Sequence, residues 1–410
     1  MKLSTAIMIP VAEAIQIVKN QTRALASERV ELSQALGRFL AADISADTDL
    51  PPFDRSQMDG YAVRAVDTAA LTAKLKIVGE SAAGRGWHNE IKNGEAVRIM
   101  TGAPVPVGAD SVQQVELTRE LDGGEAVEIL EPVTLGRSVV MRGSEIKKGE
   151  TVLRAGERIN AGAVAVLASF GYAQVNVGKR PRVAILATGT ELVPVDQSPG
   201  QDQIRDSNNF SIAAYASLAG ATIARMPLAG DDIAQLKQQI AGAAVRNDVI
   251  ITSGGVSVGR YDFTKTVLNE LGAEIFFERV ALRPGKPAVF ARLPNGTLVF
   301  GLPGNPVSVS VTFNLFARVA IFAMQGAAET ELEAGTAVLS HGIKPSKDRE
   351  SYLPARLSTN EQAHLLAEPL KWGGSSDSVG FVRATALIIV PAGTHKIEAG
   401  SVVEIVYLPQ

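Results

Sequence analysis

The stretch Asp248-Val-Ile-Ile-Thr-Ser-Gly-Gly-Val-Ser-Val-Gly-Arg-Tyr-Asp262 holds the densest chemistry in the chain. A short apolar run, Val249 to Ile251, reads as a buried strand. It empties into a loop where Gly254, Gly255 and Gly259 leave backbone N–H groups uncovered. Asp262 stands where the next helix should begin. Bare amides and a helix start both favour phosphate-like charge. An acid beside such a turn repels phosphate unless a cation lies between them, so the pattern points to a phosphate-bearing ligand with a hard metal ion.

Other segments supply matching groups. Thr188-Gly-Thr-Glu191 follows a second apolar run, Asp231-Asp232 a third, and Gly301-Leu-Pro-Gly-Asn-Pro306 a fourth. In an open α/β sheet, ligands sit at the carboxyl ends of the strands. Glu191, Asp231 and Asp262 would then share one edge with two glycine turns. Asp206, Ser207 and Asn208 add a helix start rich in capping groups. Each acid has a plainer reading. Asp231, Asp232 and Asp262 are also good helix caps, and Glu191 also reads as a solvated loop charge. Their expected convergence is what favours a site.

Arg279-Val-Ala-Leu-Arg283-Pro-Gly-Lys286-Pro287 sets three cations within eight positions, two of them in a stiff loop. Such a loop suits a multiply charged oxyanion. Pro284, Pro287, Pro303 and Pro306 would hold these loops in fixed shapes, as a preorganised electrostatic site requires.

The elements that must position these groups fall into four zones: 1–45 plus 143–178 helix-rich, 46–142 an inserted β-rich module, 179–326 alternating strand and helix, and 327–410 a small β-barrel-like domain. Helices are expected at Val11–Asn20, around Val30–Ala42 and near Ala161–Phe170. The third zone predicts an open, mostly parallel sheet with helices on both faces. Its expected strands begin at Val183, Ala221, Val249, Glu274, Ala288 and Leu298. At 410 residues the chain needs more than one core. A net charge of −3 gives no support to nucleic-acid binding. With no cysteine, thiolate chemistry is excluded, and the four histidines show no ligand spacing, so oxygen ligands are expected for any metal. Glu13 interrupts the N-terminal apolar run, and Lys19 and Arg23 follow it, which suits a docking helix better than a signal peptide. A cytoplasmic protein without membrane attachment is expected.

Together the motifs resemble the molybdopterin molybdenumtransferase family, MoeA and the E-domain of gephyrin. Asp49-Leu-Pro-Pro-Phe-Asp-Arg-Ser-Gln-Met-Asp-Gly-Tyr-Ala62 and Arg98-Ile-Met-Thr-Gly-Ala-Pro-Val-Pro-Val-Gly-Ala-Asp110 are similar to its N-terminal signatures. The motifs at 187–192, 200–208, 253–262, 283–287 and 301–308 follow in the family's order. The resemblance implies Mg²⁺ on Glu191, Asp231 and Asp262. It implies adenylyl-molybdopterin and molybdate as substrates, with AMP and molybdenum cofactor released. It also implies a homodimer in which Asp59 and Thr101 of the inserted module help complete the cleft. Arg283, Lys286, Ser308 and Ser375 would hold molybdate. Gly254, Gly255, Ser257 and the 206–208 turn would face the nucleotide or pterin phosphate. A molybdopterin adenylyltransferase and molybdoenzyme acceptors would be partners. Arg279 and Arg283 stand where many relatives carry lysine, which leaves molybdate and tungstate both open. The alternatives are an adenylyltransferase-like enzyme, which would lack the two N-terminal signatures, and a non-catalytic gephyrin-like scaffold.

Overall fold

Val249–Ser253 is buried along its whole length because both faces of its sheet are covered. The sheet runs Thr222–Arg225, Arg182–Ala187, Val249–Ser253, Leu298–Leu302, Pro287–Arg292, Glu274–Arg279. Its first four strands are parallel, and Pro287–Arg292 is antiparallel to both its neighbours. The structure is a computed structural model that describes residues 8–70, 72–230, 232–255, 263–344 and 348–409. Because successive side chains on a strand point to opposite faces, this sheet sorts its residues into two cores. Val183, Ile185, Val249, Ile251 and Phe300 pack with Ile212, Phe313 and Phe316 on one side. Ala184, Leu186, Ile250 and Val299 pack with Leu236, Ile240 and Val267 on the other.

The helices expected between these strands are present as Asn208–Leu218, Ile233–Ala244 and Phe263–Glu270. The last one begins with Pro306 and passes through a π turn at Phe313–Ala317 before ending at Met324. Among the described residues it is the one helix long and apolar enough to cross a membrane, yet 89% of its apolar window lies inside the fold. It is a core helix. Rings from the sheet pack beneath it, with Phe290 stacked on Phe300 at 4.7 Å and Phe277 edge-on to Phe316 at 5.8 Å.

The N-terminal helix spans Val11–Gln21 and buries Val11, Ala14 and Val18, as its spacing predicts. The second expected helix, around Val30–Ala42, is absent. Ser27–Glu31 is instead a strand paired with Gln174–Gly178, followed by a single 3-10 turn at Leu32–Gln34. Leu36 is 59% exposed and Gly37 takes a φ of +77°, so a helix is interrupted there, and Phe39 and Leu40 are buried from irregular chain instead.

Toward the C-terminus, Glu350–Thr359, Leu365–Pro369, Ala334–Leu339, Val402–Tyr407 and Ala386–Val390 close into a five-stranded barrel, because the last strand pairs back onto the first. Ala355, Ala367, Ile388 and Ile405 fill it. Leu282–Arg283 adds to one edge beside Glu350–Ser351.

A second compact unit, Asp43–Arg154 with Gly162–Ala173, is described by itself. Its six-stranded mixed sheet runs Ser111–Gln114, Gly60–Val63, Glu95–Ile99, Ala73–Ser81, Ala126–Ile129, Thr118–Leu121. Tyr61 and Val63 pack on one face with Leu75 and Val127. Ala62 packs on the other with Val97 and Val112.

The ring stack makes a stability prediction. Phe300→Ala should cost about 3–5 kcal/mol by opening a cavity under the core helix, seen as a lowered urea midpoint. Val245→Ala, on an exposed surface, should stay within about 0.5 kcal/mol.

Candidate active site

Three parallel strands end level with one another, Ala187 beside Ser253 and Ser253 beside Leu302. Their loops therefore leave the sheet together. Gly254 and Gly255 adopt φ values of +91° and +66°. A side chain on Gly254 would set its Cβ 2.4 Å from the Thr188 carbonyl oxygen, so glycine is needed for the two loops to approach. The Gly254 N–H donates to the Leu302 carbonyl at 3.2 Å. Gly304 lies beside it at ordinary contact distance, since a Cβ there would be 3.8 Å from the Gly254 Cα.

Asn208 ties these turns together. Its Nδ2 donates to Ser253 Oγ at 2.8 Å and to the Gly304 carbonyl at 2.7 Å. Its Oδ1 is buried without a partner among the described residues, as is Thr264 Oγ1 beside Gly255. Buried polar atoms left over in this way invite a ligand or water. Neighbouring Asp206 behaves differently. It is only 4% exposed, and its Oδ1 accepts the Asn209 N–H at 3.0 Å, so it caps the helix. Ser207 is exposed at the N-cap position and makes no side-chain cap bond.

Glu191 sits at the same edge, its carboxylate folded toward Gly189, where a Cβ would lie 2.5 Å from Oε2. Asp232 follows the capping reading, with Oδ1 accepting from the Ala234 and Gln235 N–H groups at 2.8 and 3.2 Å. Asp231, Asp262 and Ser257 lie outside the described residues. Among the described residues of this edge, Glu191 offers an exposed carboxylate that does not cap a helix. In a chain without cysteine, an oxygen donor there fits a hard cation such as Mg²⁺.

On the far side of the Pro303-Gly304-Asn305 turn lies a cleft of about 790 Å³. Arg283, Lys286, Lys344 and Arg349 line it, with Pro303 and Ser308, and no described lining residue is acidic. Ser308 is 3% exposed in the first turn of the helix that Pro306 opens, where the helix dipole favours an anion. Arg349 is held in place by the Leu282 carbonyl and Asp348, each at 3.2 Å. Ser375 is stitched in, its Oγ accepting from Asn305 Nδ2 at 2.9 Å and its carbonyl from the Val307 N–H at 3.0 Å. The loop around it is shaped by Asp377, which accepts the Gly373 and Gly380 N–H groups at 2.7 and 2.8 Å. Those donors hold the Asp377 carboxyl below the ordinary aspartate range. Gly285, at a φ of +121°, lets this turn press onto Thr312 of the core helix.

Two of the expected cation trio, Arg283 and Lys286, line this cleft. Arg279 ends its strand opposite Pro287 and is not among the residues lining the cleft. Lys344 and Arg349 line it as well. They belong to the stretch Lys344-Pro-Ser-Lys-Asp-Arg349, which the motif pattern did not single out.

Within the second unit, Asp59 and Thr101 meet. Asp59 Oδ1 accepts the Thr101 N–H at 2.6 Å and its hydroxyl at 2.9 Å. Led by the backbone bond, these donors lower the Asp59 pKa. Any stability it adds is therefore present above the ordinary aspartate pKa and lost as pH falls through the lowered one.

Comparison with known proteins agrees with this geometry. Residues 9–171 match the family described as MoeA N-terminal region (domain I and II), 184–323 the probable molybdopterin binding domain, and 336–408 the MoeA C-terminal region (domain IV). A molybdopterin molybdenumtransferase of Bacillus subtilis is 36% identical over 98% of this chain and 94% of its own length. One of Staphylococcus aureus is 35% identical over 97% and 95%. The chain belongs to the molybdopterin molybdenumtransferase (MoeA) family. It is an enzyme of molybdenum cofactor biosynthesis. A crystal structure of a molybdopterin biosynthesis MoeA protein from Pyrococcus horikoshii superposes with a TM-score of 0.84 at 27% identity, covering 98% of this chain and all of that one.

Two predictions follow from these contacts. Gly254→Ala should destabilise the protein by about 1–3 kcal/mol, because strain adds to the clash with Thr188. Gly304→Ala, with ordinary contact distances, should cost less, and thermal unfolding of the two variants ranks them. In a carboxyl NMR titration, Asp59 should ionise below a free aspartate. Thr101→Val should move it only part of the way back, since the backbone N–H still donates.

Proposed function

We propose that the enzyme inserts molybdenum from molybdate into adenylyl-molybdopterin, in a Mg²⁺-dependent reaction that releases AMP and molybdenum cofactor. The observation that carries this reading is the cationic cleft, without an acid among its described lining residues, separated from the paired glycine turns by the single turn Pro303-Gly304-Asn305. Two anions of different kinds can then be held side by side. A tetrahedral oxyanion suits Arg283, Lys286 and Arg349, because forked and point cations with Ser308 satisfy several oxygens at once. The phosphate and pterin end suits Gly254, Gly255 and Asn208, whose free Oδ1 accepts a donor from the ligand.

Glu191 with Asp231 and Asp262 would hold Mg²⁺, which offsets phosphate charge at the anhydride when bound. The chain's own part is binding and alignment. Arg283 and Lys286 keep molybdate next to the Pro303 turn, while Asn208 fixes the turn against Ser253 and so fixes the distance between the two anions. The two dithiolene sulfurs displace one oxo group of molybdate, which leaves with their protons as water, and one water cleaves the anhydride to AMP and the pterin phosphate. Positioning of this kind needs no side-chain nucleophile. A cytoplasmic homodimer, with Asp59 and Thr101 contributing to the reaction, belongs to the same proposal.

Purified protein given adenylyl-molybdopterin, Mg²⁺ and molybdate should release AMP in proportion to oxyanion. Lys286→Ala should raise the half-saturating molybdate by about tenfold or more while leaving pterin binding intact. Pterin binding without AMP release, with molybdate and with tungstate, would overturn the assignment in favour of a scaffold.

A further inference from the structure

The opposite end of the same sheet carries a second charged cleft that the proposed reaction does not use. Its volume is about 770 Å³, and it lies against the amino ends of three strands at Arg182, Asp248 and Leu298. A five-residue strand separates that end from the glycine turns, a distance of about 16 Å. Arg23, Lys179, Arg182, Arg246 and Arg292 line it, against a single carboxylate, Asp248.

The plain explanation for cations here is the sheet's own architecture. Helices return their C-termini to the amino end of a parallel sheet, and three helix ends, Gln21, Ala244 and Met324, line this cleft. Their partial charges total on the order of −1.5. Neutral donors already satisfy two of these ends. Asn247 Nδ2 donates to the Ala243 carbonyl at 2.8 Å, Asn295 Nδ2 to that of Ala244 at 2.9 Å, and the Leu25 N–H to that of Met324 at 2.8 Å. Asp248 is spent in part on the Arg182 N–H at 2.8 Å. Arg292 is occupied by Gln21 and Glu274. Even after the dipoles, Asp248 and Glu274 are counted, a surplus on the order of one to two positive charges remains.

The cleft also continues into an apolar trough of about 610 Å³ that shares Arg182, Val245 and Arg246 with it and adds Ile223, Ala224 and Met226. At its rim Val245 is 79% exposed. A small inorganic anion has no use for that part. We infer that this continuous basic and apolar surface docks an extended acidic segment of a partner protein, one carrying an apolar side chain among its carboxylates. Charge complementarity draws the segment in and the trough selects it. Because the surface lies at the far end of the strands, a docked partner leaves the glycine turns and the cationic cleft open.

The test uses the full chain and a fluorescein-labelled ten-residue peptide of alternating Asp and Glu with two leucines. Saturable binding is expected by fluorescence anisotropy. Combined Arg182→Glu and Arg246→Glu should weaken it by about tenfold or more, and Val245→Asp should weaken it separately. Arg283→Glu, on the other cleft, should leave it unchanged. Arg182 and Arg246 are exposed and outside the proposed catalytic machinery, so AMP release and the circular dichroism spectrum should stay as in the parent protein. The inference is overturned if the double variant binds as tightly as the parent. It is equally overturned if a leucine-to-glycine peptide or inorganic tripolyphosphate binds as well as the probe, which would make this a general anion site.

Discussion

The register that sets Ala187, Ser253 and Leu302 side by side is the constraint on which the candidate site depends. Parallel pairing over buried strands makes the loops emerge at one height, and two apolar cores hold the pairing from either face. A slip of one residue would turn each side chain to the wrong face, so the register is strongly specified. Only then do Gly254, Thr188 and Gly304 come within contact distance. The glycines are thus required by close packing between loops as well as by their bare amides.

On that platform charge is segregated. Glu191 lies at the glycine-turn side, whereas the cleft beyond Pro303 has four lining cations and no described acid. Proline and backbone bonds fix this arrangement before any ligand arrives. Ser375 is drawn in by Asn305 and Val307, so the barrel supplies part of the wall through its own loop. Preorganisation of this kind suits a reaction whose demand is to hold two anions close together.

Much of this was legible in the chain because strand and helix periods are local. The alternating apolar runs of 179–326 marked the start of each strand of the central sheet to within one residue. Misreadings had physical causes. The spacing around Val30–Ala42 looked helical, but pairing of Ser27–Glu31 with Gln174–Gly178 claimed that region for a sheet. Pro354 lies inside the strand Glu350–Thr359, where proline is uncommon, and pairs within the barrel opposite Leu387. Asp206 belonged to a helix start as foreseen, yet it faces inward as a cap.

The sequence by itself determined the family, the order of the motifs and the chemical types at the edge: carboxylates, glycines and cations after apolar runs. These are local properties, written in residue type and spacing. Tertiary structure alone decided which cations share a cleft, bringing Lys344 and Arg349 beside Arg283 and Lys286. It also decided that Asn208 is the tie between two turns lying 45 and 96 residues away. The physical reason is that a side chain's partners are set by strand pairing and loop closure between distant segments, and spacing along the chain carries no record of them.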